Sequence, residues 1–162
     1  MNRTMKAFAV AFVLGTAIHT MPSALMQASA HEDDDDYAAG EPGDPTKQFR
    51  TIQITMSERD GAMMYAPASI EVARGEQIEF VINNAGALKH EFHLASVAQN
   101  ASHLIEMQKN PEMVHDEPNV QTVEPGKTAE LLWRFTKPGV FEFACLIPGH
   151  YEAGMHGKVV VK

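Results

Sequence analysis

The chain has 162 residues, of which 44% are hydrophobic and 21% charged, and this length suits one domain with a core of its own. Its formal net charge of -8 argues against nucleic acid or an anionic membrane surface as the partner. The single cysteine excludes an internal disulfide. A lone thiol in an oxidising compartment is reactive unless it binds something else, such as a metal ion, or is a buried and inert side chain.

The N-terminus predicts a secretory signal peptide over residues 1–30. Arg3 and Lys6 supply the positive charge, residues 7–18 form the apolar stretch, and residues 28–30 (Ala-Ser-Ala) offer a cleavage site. The apolar stretch is shorter than the roughly 20 residues that a membrane-spanning helix needs, and an uncleaved anchor is the alternative. We therefore expect an exported, periplasmic protein with no membrane span after cleavage.

Residues 31–47 are acidic, contain Gly and Pro, and offer almost nothing to bury, so we expect a flexible N-terminal arm. Cleavage after Ala30 would place His31 at the new N-terminus, where its α-amine and imidazole are two nitrogen donors for Cu(II). The other interpretation is a solvated acidic arm that keeps the protein in solution.

From residue 48 onward, short runs of alternating polar and apolar residues predict about seven or eight strands separated by turns. The alternation is clear in residues 77–83 (QIEFVIN), whereas residues 97–110 have the spacing of a helix. The sequence shows no βαβ rhythm and no internal repeat. It predicts an all-β fold over residues 48–162, a Greek-key β-sandwich of two sheets with a short helical insert.

The pattern that indicates chemistry is Cys145, His150 and Met155, spaced C-x4-H-x4-M between the last two predicted strands. A thiolate, an imidazole and a thioether are a soft donor set. With a second imidazole they form the trigonal two-His, one-Cys copper site with a long axial Met. The second imidazole should come from another strand at the same end of the sandwich, and His90 is favoured. His93 competes with it, but strand alternation puts the two on opposite faces.

Other uses of the same side chains fit less well than mononuclear copper. Structural zinc takes Cys and His ligands, and Met is not a usual zinc ligand. A binuclear copper centre would need a second bridging cysteine. A Cys–His hydrolase would need an orienting partner and an oxyanion hole, which the sequence does not indicate.

The segment Cys145-Leu-Ile-Pro-Gly-His150-Tyr-Glu-Ala-Gly-Met155 and the preceding residues 137–145 (KPGVFEFAC) resemble the ligand loop and the strand before it in the cupredoxins. That family includes plastocyanin, azurin, auracyanin and rusticyanin. The resemblance covers about residues 48–162, and it implies a type 1 copper site with four ligands: His90, Cys145, His150 and Met155.

The segment Lys89-His-Glu-Phe-His93, together with that loop, is similar to the small periplasmic cupredoxins of bacterial copper tolerance. Glu91 departs from the family pattern, because plastocyanin and azurin have Asn after the first ligand His. The groups that surround the ligands tune the orientation of the ligands and the redox potential of the site. Because of this departure, the sequence does not predict that orientation or that potential.

Further methionines and histidines offer a second, weaker copper site, because thioethers are good Cu(I) ligands. The candidates are His103, Met107, Met113 and His115 in the helical insert, and Met56, Met63 and Met64 earlier in the chain. The alternative is that these methionines are core or gap-filling side chains. His156 is expected to be a surface residue.

The resemblance implies a copper protein that is not an enzyme and that acts in periplasmic copper tolerance or handling through a redox-active mononuclear site. The alternative is a soluble electron shuttle, with His150 near the surface, between periplasmic redox partners. A copper nitrite reductase or a multicopper oxidase needs further copper sites, which one domain of this length does not supply alone. We expect a monomer whose partners are copper ions and a periplasmic redox protein.

Overall fold

A computed structural model describes residues 37–162, which contain ten strands and one helix. In chain order these are β1 (Glu41–Pro42), β2 (Arg50–Arg59), β3 (Ala62–Ala66), β4 (Ser69–Val72), β5 (Gln77–Asn84), β6 (His90–Ala95), α1 (Val97–Lys109), β7 (Val120–Val123), β8 (Thr128–Arg134), β9 (Gly139–Ala144) and β10 (His156–Val161). The strands form two five-stranded sheets, in the orders β1-β8-β5-β2-β3 and β4-β10-β9-β6-β7. The predicted two-sheet β-sandwich with a short helical insert is confirmed.

Two strand pairs are parallel, β2 with β5 and β4 with β10, and the others are antiparallel. Parallel neighbours cannot be joined by a tight hairpin, so the chain has to cross between the sheets. In the second sheet β6 and β9 are antiparallel neighbours, with His93 opposite Ala144. The beginning of β6 therefore lies beside the end of β9, which brings His90 near Cys145.

The core lies between the sheets and follows from the alternation of apolar residues. On β5, Ile78, Phe80 and Ile82 are fully buried. From the other sheet Phe92 and Phe143 meet them, with their rings stacked at a centroid distance of 5.1 Å. Burying a side chain of this size contributes roughly 1.5–3 kcal/mol. This packing fixes the faces of β6 and β9 on which the site residues lie.

Residues 37–42, which belong to the predicted flexible arm, pack against the sandwich. β1 pairs with β8, and Ala39 is fully buried. The Tyr37 ring meets the Trp133 indole edge-on at 5.3 Å. A few apolar side chains that cover Trp133 outweigh the acidic composition of this stretch. The predicted signal peptide and His31 lie outside the described residues.

The helical insert is confirmed as α1, which packs on the second sheet. Ser96 caps it and forms a capping box with Gln99, which satisfies two backbone amides at the helix start. Asn100 donates to the Glu142 carboxylate at 3.0 Å, and Met107 packs beside Ala144. Within residues 37–162, no helix is long and apolar enough to cross a bilayer.

Candidate metal centre

The structure brings one sulfur and two imidazole nitrogens together where β6 begins and β9 ends. His90 is the first residue of β6, Cys145 directly follows β9, and His150 lies in the loop before β10. The Nδ1 atoms of His90 and His150 are 3.2 Å apart, and Cys145 Sγ is 3.3 Å from His150 Nδ1. The donor atoms of all three residues lie within 4.8 Å of one another. We call these three residues the thiol centre.

The loop that carries Cys145 and His150 is closed by its own backbone. The Cys145 amide donates to the Met155 carbonyl at 3.0 Å, and the Met155 amide donates to the His150 carbonyl at 3.1 Å. Gly149 and Gly154 have φ angles of 88° and 100°, in the left-handed region that favours glycine. These turns bend the loop back, so that its two ends meet at the thiol centre.

The Met155 side chain, the fourth predicted donor, is fully buried in the same core cluster as Cys145. Its backbone is bonded to both Cys145 and His150, as described above. Its buried thioether is therefore the candidate for a weak axial ligand.

Burial raises the pKa of the Cys145 thiol to about 12. The backbone amides of Glu91 and Ile147 act in the opposite direction, and the Glu91 amide donates to Sγ at 3.3 Å. A thiol with this pKa stays protonated at neutral pH unless a metal ion replaces the proton, because the thiolate is both the nucleophile and the metal ligand. The buried sulfur therefore suits a metal site better than a Cys–His hydrolase.

Glu58 on β2 holds the His90 ring, and sequence reasoning missed it. The Glu58 Oε1 atom lies 2.7 Å from His90 Nε2, and the carboxylate also accepts the amides of Ala87 and Leu88 at 2.9 and 3.0 Å. Partial burial alone would raise the pKa of Glu58, but these hydrogen bonds hold it below its usual value. With Nε2–H donated to Glu58, the His90 Nδ1 lone pair faces the thiol centre, as in carboxylate–histidine–metal arrangements.

Gly86 leaves room for that carboxylate. A Cβ atom added at Gly86 would lie 2.4–2.6 Å from the carboxylate atoms of Glu58, so a larger residue would displace it. The adjoining loop is further tied by Asn84, whose amide donates to the carbonyls of Leu88 and Val123 at 2.7 and 2.8 Å. Glu58 and Asn84 together fix the loop that leads into His90.

Glu91, the departure from the family pattern, lies on the strand face opposite His90. Its carboxyl is buried, and burial raises its pKa, while His115, His103 and Lys89 act against that rise. Its side chain therefore belongs with the histidines near α1, and only its backbone serves the thiol centre. Its carbonyl accepts the Tyr65 hydroxyl, which holds this point of β6 to β3.

The remaining candidates from the sequence are spread over the molecule. His93 does not join the thiol centre, because it packs against the rings of His103 and His115 on the other face of β6. Met113 and His156 are exposed, and the His156 ring stacks on Tyr151 at 4.9 Å. Met56 is a fully buried core side chain, and Met63 and Met64 are half-buried on β3.

The donor set of the thiol centre fits copper. Two neutral imidazole nitrogens and a sulfur that becomes a thiolate are the equatorial ligands of trigonal copper sites. Their spacing of 3.2–3.3 Å matches donors that share one ion at metal–nitrogen bonds of about 2.0 Å. His90 is fully buried and His150 is half-buried, so the centre lies just below the surface at one imidazole edge.

The family model for copper binding proteins of the plastocyanin/azurin family matches residues 52–162, which include every residue of the thiol centre. The chain belongs to this family. This cupredoxin is 48% identical over 135 residues to the copper-resistant cuproprotein CopI of Rubrivivax gelatinosus. The match covers 83% of this chain and 80% of the relative. The chain is 38% identical over 154 residues to the CopI protein of Pseudomonas aeruginosa, covering 77% and 83%.

Among solved structures, this cupredoxin is similar to the dithionite-reduced auracyanin of Roseiflexus castenholzii. The TM-score is 0.58 at 24% sequence identity, and the match covers 72% of this chain and 99% of the auracyanin. The likeness concerns the fold, and it agrees with the two-sheet sandwich described above.

Proposed function

We propose that His90, Cys145, His150 and Met155 hold one type 1 copper ion, and that the protein uses it in periplasmic copper tolerance. The observation that carries the proposal is that His150 Nδ1 lies 3.2 Å from His90 Nδ1 and 3.3 Å from the buried Cys145 sulfur. The tolerance role is supported by the relatives, which are named copper-resistant cuproproteins. When bound, copper supplies one-electron redox chemistry.

The protein's own residues prepare the site before any metal enters. Glu58 selects the His90 tautomer and orients its ring. The amides at Glu91 and Ile147 stabilise negative charge on the Cys145 sulfur. Core packing around Cys145 and Met155 excludes water from the sulfur side. A site held this rigidly changes little between oxidation states, which favours rapid electron exchange or the oxidation and retention of copper.

The second candidate function is electron transfer between periplasmic redox proteins. The half-buried ring of His150 supports it, because this imidazole joins the buried sulfur to the protein surface within one side chain. In both functions the protein has no catalytic residues of its own, works as a monomer in the periplasm, and meets copper ions or a redox protein at this edge.

The metal assignment is tested by the visible spectrum of the copper-loaded protein. We expect a strong thiolate-to-copper absorption band that disappears in Cys145→Ser and persists in Met113→Leu, a matched control at an exposed residue. A colourless protein that binds copper equally well without Cys145 would overturn the proposal.

The two biological roles are separated by deleting the gene and returning either the wild type or Cys145→Ser. Under the tolerance role, the deletion strain grows poorly on copper while respiration is intact, and only the wild type restores growth. Unchanged copper sensitivity with impaired respiration would replace tolerance by the shuttle function.

A further inference from the structure

A second set of metal-binding side chains lies on the other face of β6, against α1 and the segment before β7. The Nε2 atoms of His103 and His115 are 3.3 Å apart, and His115 Nε2 is 3.3 Å from Met107 Sδ. The His93 ring is 5.1 Å from the His103 ring, centroid to centroid. We call His93, His103, Met107 and His115 the helix-side cluster.

Carboxylates hold the far sides of two of these rings. His103 Nδ1 is 3.3 Å from a Glu106 oxygen, and His115 Nδ1 is 3.3 Å from a Glu117 oxygen. When each Nδ1–H is donated to its carboxylate, each Nε2 presents a lone pair to the other. Metal-binding histidines have this arrangement, in which the carboxylate sets the tautomer and increases the basicity of the ligand nitrogen.

The cluster is buried and carries unused hydrogen-bonding capacity. The His115 side chain is 3% exposed and Met107 is 1% exposed. His93 Nδ1 is buried and has no hydrogen-bond partner among residues 37–162. Buried polar atoms are nearly always paired, so an unpaired imidazole nitrogen beside two more imidazoles indicates a missing partner.

Packing alone explains only part of this arrangement. Met107 does fill space beside Ala144 and Leu146. Packing does not explain the contact between the two Nε2 atoms, because with both Nδ1–H groups donated to Glu106 and Glu117 the two Nε2 lone pairs face each other with no proton between them. A cation satisfies both nitrogens and the sulfur at once. Nearby Glu106 and Glu117 add negative charge that favours a cation.

We propose that the helix-side cluster is a second copper site, specific for Cu(I), with His103, His115 and Met107 as ligands and His93 as the fourth donor. The thioether favours Cu(I), since soft sulfur ligands select the cuprous ion and imidazole accepts it. Donors 3.3 Å apart subtend an angle of about 110° at a metal with bonds of about 2.0 Å, near the tetrahedral value. This proposal does not depend on the function of the thiol centre.

The surface offers a route to the cluster. A groove beside it is lined by Glu91, His115 and Met113, and it continues to Ile147 and Pro148 of the loop that carries His150. His115 is the member of the cluster that lines this groove, together with Glu91, Glu112 and Lys89. The groove thus connects His115 with the loop that carries His150, and the proposed second site would collect cuprous ions near that loop.

The test is an anaerobic titration of Cu(I) into the mature protein against a coloured cuprous chelator. Wild type should bind one Cu(I) more per chain than His103→Ala/His115→Ala at the same chelator concentration. Met107→Leu conserves the side-chain volume and should lower the affinity for this additional Cu(I) about tenfold or more. Tenfold is the lower limit for changes in the groups that surround a bound metal. Met64→Leu is the matched control and should bind as wild type does, because Met64 lies on β3, in the sheet that does not contain β6.

Two further measurements keep the outcome clear if the double variant folds poorly. The imidazole NMR signals of His93, His103 and His115 should shift on adding the additional Cu(I), while that of His156 stays. Sulfur scattering in the copper X-ray absorption of this equivalent should be lost in Met107→Leu. Equal Cu(I) stoichiometry in all variants would overturn the proposal, and so would Zn(II) binding there more tightly than Cu(I).

Discussion

The thiol centre and the helix-side cluster place their donor atoms at nearly the same spacing, 3.2–3.3 Å in the first and 3.3 Å in the second. In both, a glutamate holds the far nitrogen of an imidazole. Their supports differ. The thiol centre is built on two neighbouring strands and a closed loop, whereas the helix-side cluster relies on α1 and an irregular segment laid over the sheet.

That difference in support bears on the chemistry proposed for each set of donors. A buried sulfur on a strand end, within the core, is fixed by the packing of both sheets. Side chains on a surface helix depend on a few contacts and a helix cap, so their positions adapt more easily to an ion. The first arrangement suits a metal that stays and changes its oxidation state, and the second suits a metal that is taken up and released.

Crossed variants should give the largest effects and test whether the two sites are independent. Cys145→Ser should abolish the visible absorption band but keep the Cu(I) equivalent of the helix-side cluster. His103→Ala/His115→Ala should do the reverse. Visible spectra and chelator competition on the same samples measure both. Loss of both signals in Cys145→Ser, with an unchanged circular dichroism spectrum, would contradict independent sites.

Glu58→Gln should weaken copper binding at the thiol centre by about 10–100-fold, because the His90 ring loses its anionic partner. Competition titration with Cu(II) measures the change. Glu130→Gln, at an exposed position on β8, is the control and should have no effect. Binding equal to wild type in Glu58→Gln would show that the loop around His90 needs no carboxylate.

Met155→Leu should leave copper bound but raise the redox potential of the thiol centre, because the weak axial donor is lost. A spectroscopic redox titration against mediators of known potential gives the size and sign of the change. The helix-side cluster should be unaffected. A lowered potential, or loss of the copper, would assign Met155 a different role.

Ser96→Ala should have the smallest effect, a loss of about 1 kcal/mol in the free energy of unfolding, because the α1 capping box is broken. Urea unfolding measures this loss. The same variant should loosen Cu(I) at the helix-side cluster and leave the visible band unchanged. Ser102→Ala, within the exposed part of α1, is the control, and an equal loss there would mean that the cap is unimportant.

Much of the fold was predictable because apolar alternation is a local property of the sequence. The strand through Ile78, Phe80 and Ile82 is an example, and the three side chains are all fully buried. The spacing of Cys145, His150 and Met155 likewise predicted one loop between two strands, and the structure places them there. The copper role of these residues stays a prediction until the spectrum is measured.

The partners contributed by distant strands were not predictable from one sequence. Glu58 lies 32 residues before His90, and no local pattern links them. The sequence indicated Glu58 only as a carboxylate on a predicted strand, and the fold of the sandwich places that strand beside the loop before His90. His103 and Met107 were recognisable as one helical turn, but their approach to His115 depends on an irregular segment. The contact of Tyr37 with Trp133 was not predicted, because Tyr37 lies in an acidic segment whose composition indicates a flexible arm.

Strand β6 carries His90 on one face and His93 on the other, with Glu91 between them. Moving a strand by one residue exchanges its faces, which would turn the Glu91 carboxyl toward the sulfur and withdraw both imidazoles. Loss of one residue between 90 and 93 would put the two histidines on the same face, so at most one of the two sets of donors could stay complete. The thiol centre and the helix-side cluster therefore depend on one and the same spacing along β6.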